Sequence, residues 1–139
     1  MTTTLTNNEV QAAIIAFLKS ISSISTEVNS GLEIREDQWG GLDFTYPNIR
    51  VQLERLVPNI NNCGYDEVMF NILVFSEEPS SLSCDRIAGV VRNQMLSSFN
   101  KNSIRFFSVH IQEVIPAFRY SEITWQSQVK IKAYLSQIP

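Results

Sequence analysis

The chain has 139 residues, of which 44% are apolar and 18% charged, and its formal net charge is −3. That length holds one hydrophobic core and is short for two, and the apolar fraction excludes an intrinsically disordered chain, so a single domain over residues 1–139 is expected. The closest basic pair, Lys130 and Lys132, sits in an alternating stretch rather than a cluster, which argues against nucleic-acid binding through phosphates.

The opening MTTTLTNNEV has no basic leader followed by an apolar run, and no segment approaches the length of a membrane span. A soluble, unexported protein with no membrane partner is the expectation. The modest charged fraction leaves a surface rich in Asn, Gln, Ser and Thr, which suits lasting contact with other subunits.

The first helix is marked by Val10, Ala13, Ile14, Phe17, Leu18, Ile21 and Ile24, one apolar stripe at steps of three and one. Thr6 with Glu9 forms a capping box, and Leu5 and Val10 are placed for a hydrophobic staple, so the helix begins at Asn7. Serines and Thr26 blur its far end, predicted between Ser22 and Val28, and Asn29, Ser30 and Gly31 supply the stop.

From Gly31 to Pro47 only Leu32–Arg35 reads as a short strand, and Gly40 and Gly41 lie beside the aromatic residues Trp39, Phe44 and Tyr46. Three rings in so long a loop argue against disorder. Either they cap the domain's own core or they pack on a neighbouring subunit, where Trp and Tyr are enriched. Trp39, Phe44 and Tyr46 are therefore the candidate subunit interface.

Asn48–Val57 alternates Ile49, Val51 and Leu53 with polar residues, a half-buried strand. Pro58, Asn59, Asn61, Asn62 and Gly64 make a hairpin turn. Glu67–Ser76 is apolar on both faces and should be central in a sheet, or covered by another chain. A second helix opens at Pro79–Ser83 and runs to about Phe99 on a stripe of Cys84, Ile87, Ala88, Val91, Met95 and Phe99.

Ser103–Val114 reads as a strand with Phe107, Val109 and Ile111 on one face, while Ile104 and Phe106 are out of phase and indicate a bulge. In the last strand Ile123, Trp125, Val129, Ile131, Ala133 and Leu135 share one parity. The predicted fold class is α+β, a mostly antiparallel sheet of four to five strands with two helices on one face, in the order α-(β)-β-β-α-β-β. Phe17, Leu18, Ile49, Val51, Ile87, Val91, Val129 and Ile131 are the predicted core.

No usual constellation of catalysis is present, and no catalytic, cofactor-binding or metal residue is nominated. His110, the one histidine, falls on the polar face of a strand without ligands at metal spacing. Cys63 and Cys84 have no CxxC spacing and read as small buried hydrophobes. The carboxylate pairs Glu36/Asp37 and Glu77/Glu78 are adjacent in loops and point apart, and Gly40/Gly41 has no phosphate-loop context. The chain is expected not to be an enzyme.

With the order of elements, three stretches resemble a phage tail terminator or tail-completion protein: YPNIRVQLERLVPN, EVMFNILVFSEEPSSLSCDRIAGVVRNQML, and the pair IRFFSVHIQEVIPAF and ITWQSQVKIKAYL. In that family a Tyr-Pro or Phe-Pro step leads into a strand, matched by Tyr46-Pro47. A second strand ends in a phrase like ILVFSEEPS, matched by Ile72 to Ser80, and a helix and two long strands follow. The resemblance runs from about Val10 to Leu135 and implies a homo-oligomer, a hexameric ring at the head-proximal end of a tail. Such a ring ends tail-tube polymerisation, with the tail tube protein on one side and a neck or connector protein on the other. It is a virion component of tail and neck, assembled in the host cytoplasm. The alternatives are another neck component, such as a stopper or head-completion protein, and a small α+β ligand-binding domain or enzyme.

Overall fold

The computed structural model describes residues 5–28, 31, 33–36, 45–58, 64–77 and 81–138. Helix α1 covers Asn7–Ser20 and a single turn, α2, covers Ser22–Ser25. Strands β1 (Ile34–Glu36), β2 (Asn48–Val57) and β3 (Asp66–Ser76) precede helix α3 (Leu82–Gln94). Strands β4 (Phe99–Lys101), β5 (Ile104–Arg119) and β6 (Trp125–Gln137) close the chain.

The start of α1 is where the capping box placed it. The Thr6 hydroxyl accepts from the Glu9 amide at 3.2 Å and the Glu9 carboxylate accepts from the Thr6 amide at 3.3 Å, an arrangement worth about 1 kcal/mol. Leu5 and Val10 are both buried in the core. The far end differs from the expected single helix: Ile21 is extended and breaks the chain into α1 and α2, and both Ile24 and Val28 beyond the break are fully buried. Gly31 has φ +86, with Ser25 and Lys19 carbons 3.4 and 3.5 Å from where a Cβ would stand, so a side chain there is strained.

The sheet corrects the predicted fold class. It is mixed and six-stranded, in the order β1-β2-β3-β6-β5-β4, with β1 parallel to β2 and all other pairs antiparallel. It curls into half a barrel, and among the described residues three short helices accompany it instead of two. The strand missed in the sequence is β4. Phe99 satisfies the helix stripe as the fourth residue after Met95, but α3 stops at Gln94. The Phe99 ring instead lies between Phe17 (3.8 Å) and Phe106 (4.5 Å), both stacked, and this packing draws residues 99–101 into the sheet.

That stacking also shows how the curl is closed. Helix α1 touches β1 and β2 near one edge of the sheet and β4 at the other, and the Gln11 amide donates to the Val51 carbonyl at 2.8 Å. α1 thus occupies the gap where the outer strands of a full barrel would meet, and the concave face wraps around it. Val68, Phe70, Ile72 and Val74 of β3 and Val129, Ile131, Ala133 and Leu135 of β6 line that face, fully buried. Of the predicted core, Leu18, Ile49, Val51, Ile87, Val91, Val129 and Ile131 are buried, and Phe17 is half-buried under the Phe99 ring.

Strand β3 is central, between β2 and β6, as its two apolar faces required. The bulge inferred in β5 is present between Phe107 and His110, with Ser108 at φ +49. It reverses one assignment: Ile104 and Phe106 face the core before it and Val109 and Ile111 pack on the core after it, while Phe107 faces the other way, against Tyr134.

Candidate interaction surface

Two further register shifts follow in β5, between Ile111 and Glu113 and between Ile115 and Phe118. Each shift adds one residue to β5, which is why its 16 residues face only 13 in β6. Bulges sharpen twist and spoil an edge for further strand pairing, and Pro116 lies within the last of them. Among the described residues, β4 covers β5 only from Ile104 to Phe106, so the remainder of β5 is an edge that its own irregularities make unsuitable for continuous pairing.

The far end of this hairpin is fastened to the body. Asp85, in the first turn of α3, accepts the Ala117 amide at 2.8 Å. The Tyr120 amide donates to the Thr124 carbonyl at 2.8 Å, and the Tyr120 ring meets Phe75 edge-on at 5.3 Å. Arg119 folds back, its guanidinium 5.1 Å from the centre of the Trp125 ring, and donates to the Glu122 carbonyl. A held tip leaves apolar side chains in water: Phe118 is 42% exposed, Tyr120 63% and Ile123 64%, with Leu82 of α3 at 75%. Exposed large apolar groups gathered at one end of a domain mark a contact surface.

The convex face carries a different pattern. Glu67 is buried and bridges Arg55 Nη2 at 3.1 Å and Lys132 Nζ at 3.5 Å, Glu54 lies 3.6 Å from Lys130, and Asn71 donates to Gln52 at 3.0 Å. Tyr65, Phe107 and Tyr134 meet at ring distances of 5.2 to 6.0 Å beside these rows. Cations and carboxylates neutralise one another along these rows. His110 is exposed on β5.

The Cys84 thiol is buried and donates to the Val74 carbonyl at 3.1 Å, 3.2 Å from Ser127 Oγ, and that hydroxyl donates to the Cys84 carbonyl at 3.3 Å. Burial pushes the thiol's pKa up from its ordinary 9.0, against the hydrogen bonds of Ser127 and Ser76, which lower it. The buried thiol pins α3 to the sheet. Among the described residues, no three His, Cys, Asp or Glu side chains gather as a metal site, and no helix is long and apolar enough to cross a membrane.

Of the interface residues proposed from sequence, Tyr46 is half-buried just ahead of β2, in a cis Tyr46-Pro47 step. Trp39 and Phe44 lie outside the described residues, as do Cys63, Asp37, Glu78 and the Gly40/Gly41 pair. The exposed tip was not foreseen. Ile123 shares the parity of the buried β6 residues but precedes the strand, and the detectable signal was the apolar composition of FRYSEI in a turn.

No protein-family model matches the chain and no curated protein matches it in sequence. Its fold is similar to a chain in a solved structure of the virion of a native gene transfer agent particle. The TM-score is 0.69 at 13% identity, over 91% of this chain and 94% of that one. That likeness is one of fold.

Proposed function

We propose that this chain is a structural virion protein acting as a tail terminator, a ring that ends tail-tube polymerisation and joins the tail to the neck. The observation that carries this reading is the fold likeness to a chain of a gene transfer agent virion, which runs almost from end to end of both chains. The order of motifs around Tyr46-Pro47 and Ile72 to Ser80 adds support from the sequence, and the exposed apolar tip adds a surface suited to protein contacts. The partners are other copies of the chain, a tail tube protein and a neck or connector protein. In this reading Trp39, Phe44 and Tyr46 also serve assembly.

The test is removal of the protein from the particle that encodes it, followed by electron microscopy. Overlong, unjoined tubes beside full heads are expected. Tails of normal length joined to heads overturn the role, and normal tube length beside heads that leak DNA assigns a stopper instead. Replacing Trp39 and Phe44 together by Ala should leave the melting temperature unchanged and block joining.

A further inference from the structure

Exposed apolar side chains occur at both ends of the long axis of β5 and β6. At the hairpin tip they are Tyr120 and Ile123, joined by Leu82. At the opposite end they are Leu96, 58% exposed just after α3, and Ile138, 38% exposed, whose amide donates to the Ser103 carbonyl in the β4–β5 turn at 2.8 Å. β3, β5 and β6 run between these two ends and α3 runs along them from the tip side, so the patches lie toward opposite ends of the domain.

Charge divides along the same axis. No Asp or Glu occurs from Arg86 to Gln112, and the end opposite the tip presents Arg92, Lys101 and Arg105, with Asp66 and Glu67 the acids at the start of β3 and Glu67 already bridged to Arg55 and Lys132. The tip end presents Asp85 and Glu122 as exposed carboxylates. Its cation Arg119 is drawn back over Trp125, and Arg86 is bridged to Glu27 at 2.7 Å. One end is apolar and acidic, the other apolar and basic. Two different complementary patches on one subunit are what a head-to-tail contact between identical chains requires, whereas a two-fold contact needs one patch that complements itself.

We propose that copies of this chain associate head to tail, the hairpin tip of one seated on the α3 C-terminal end and β4–β5 turn of the next. This deepens the reading above by naming the surfaces through which copies meet, and rests on it only for closure of the series into a ring. The edge of β5 takes no part as a strand, because its bulges and Pro116 prevent a continuous ladder.

The experiment pairs two variants of the full chain at exposed positions: Leu82→Ser with Ile123→Ser at the tip, and Leu96→Ser with Ile138→Ser at the opposite end. Sedimentation of the unaltered chain should show growth past a dimer with concentration, weakened by salt. Each variant alone should associate about tenfold more weakly or worse, which corresponds to about 1.4 kcal/mol, with its thermal melt unchanged. Mixed in equal amounts, they should form dimers and nothing larger, since only one sound junction exists per pair. Carbodiimide should then couple Glu122 of the chain with the sound tip to Lys101 of the other. A unaltered chain that stays monomeric to millimolar concentration overturns the proposal, as does a two-fold dimer that either variant retains. The outcome is separable from the terminator role: overlong tubes without this junction leave that role standing, and a sound junction beside normal tails removes only the role.

Discussion

Strands β3 and β5 differ in what surrounds them, and the difference explains where this molecule is rigid and where it presents itself to others. β3 pairs with β6 in unbroken register over its 11 residues, from Asp66 to Ser76, and lies under α3. β5 has one long partner, loses register three times and ends in a tip rich in exposed apolar groups. A strand held on both edges and covered by a helix cannot shift by one residue without turning its core face outward. An edge strand tolerates bulges, and these in turn blunt the edge. Regularity here follows burial, and irregularity marks the surface available for contact.

The largest effect that would test this contrast is Phe70→Ala in β3. Its ring is fully buried, so denaturant unfolding should show a loss of about 3 to 5 kcal/mol. A loss below about 1 kcal/mol would mean that β3 is not the spine of the sheet. Phe17→Ala comes next, at about 3 kcal/mol, since it removes the ring through which α1 holds β4 at the sheet's far edge. The accompanying Phe99 and Phe106 amide-region protection from hydrogen exchange should fall more than that of β3.

Asp85→Ala should cost about 1 to 2 kcal/mol by leaving the Ala117 amide without its carboxylate partner. Exchange should quicken at residues 115–120 and stay unchanged in β3; uniform quickening would show that the tip is not held locally. A smaller, pH-dependent difference attaches to Cys84. Its folded pKa lies above the ordinary 9.0, so the unfolded chain releases this proton first. The contribution is complete below that value and is lost as pH rises through the folded pKa. Unfolding free energy should therefore fall more steeply as pH rises past 9.0 in the unaltered chain than in Cys84→Ala. Parallel curves would remove the buried thiol from the account. At the small end, Ile123→Ser should shift stability by less than about 0.5 kcal/mol, because its side chain is mostly in water, while weakening association between copies.

The candidate surface was less legible than the core. Phe118 lies at the end of a strand, Tyr120 follows it and Ile123 precedes the next, and strand periodicity assigns a residue to a face without saying whether anything covers that face at the strand's end. The exposure of Phe118, Tyr120 and Ile123 is set by the tertiary packing around the hairpin. Charge was similarly opaque: the absence of acids from Arg86 to Gln112 is visible in the sequence, but that the middle of this stretch lies opposite the tip depends on how α3 and β5 run.

Local chemistry sufficed for whatever depends on neighbours within a few residues. The Thr6–Glu9 capping box, the strand Asn48–Val57, the two-faced β3 and the first bulge of β5 all follow from spacing, because caps and face alternation are short-range. Tertiary structure decided what depends on distant partners. The parallel pairing of β1 with β2 and the transfer of Phe99 from a helix stripe to β4 each rest on contacts made across the chain, as when Phe17 and Phe106 close on the Phe99 ring. A stripe of apolar residues states that a side chain must be buried, and only the packed sheet and helices determine against what.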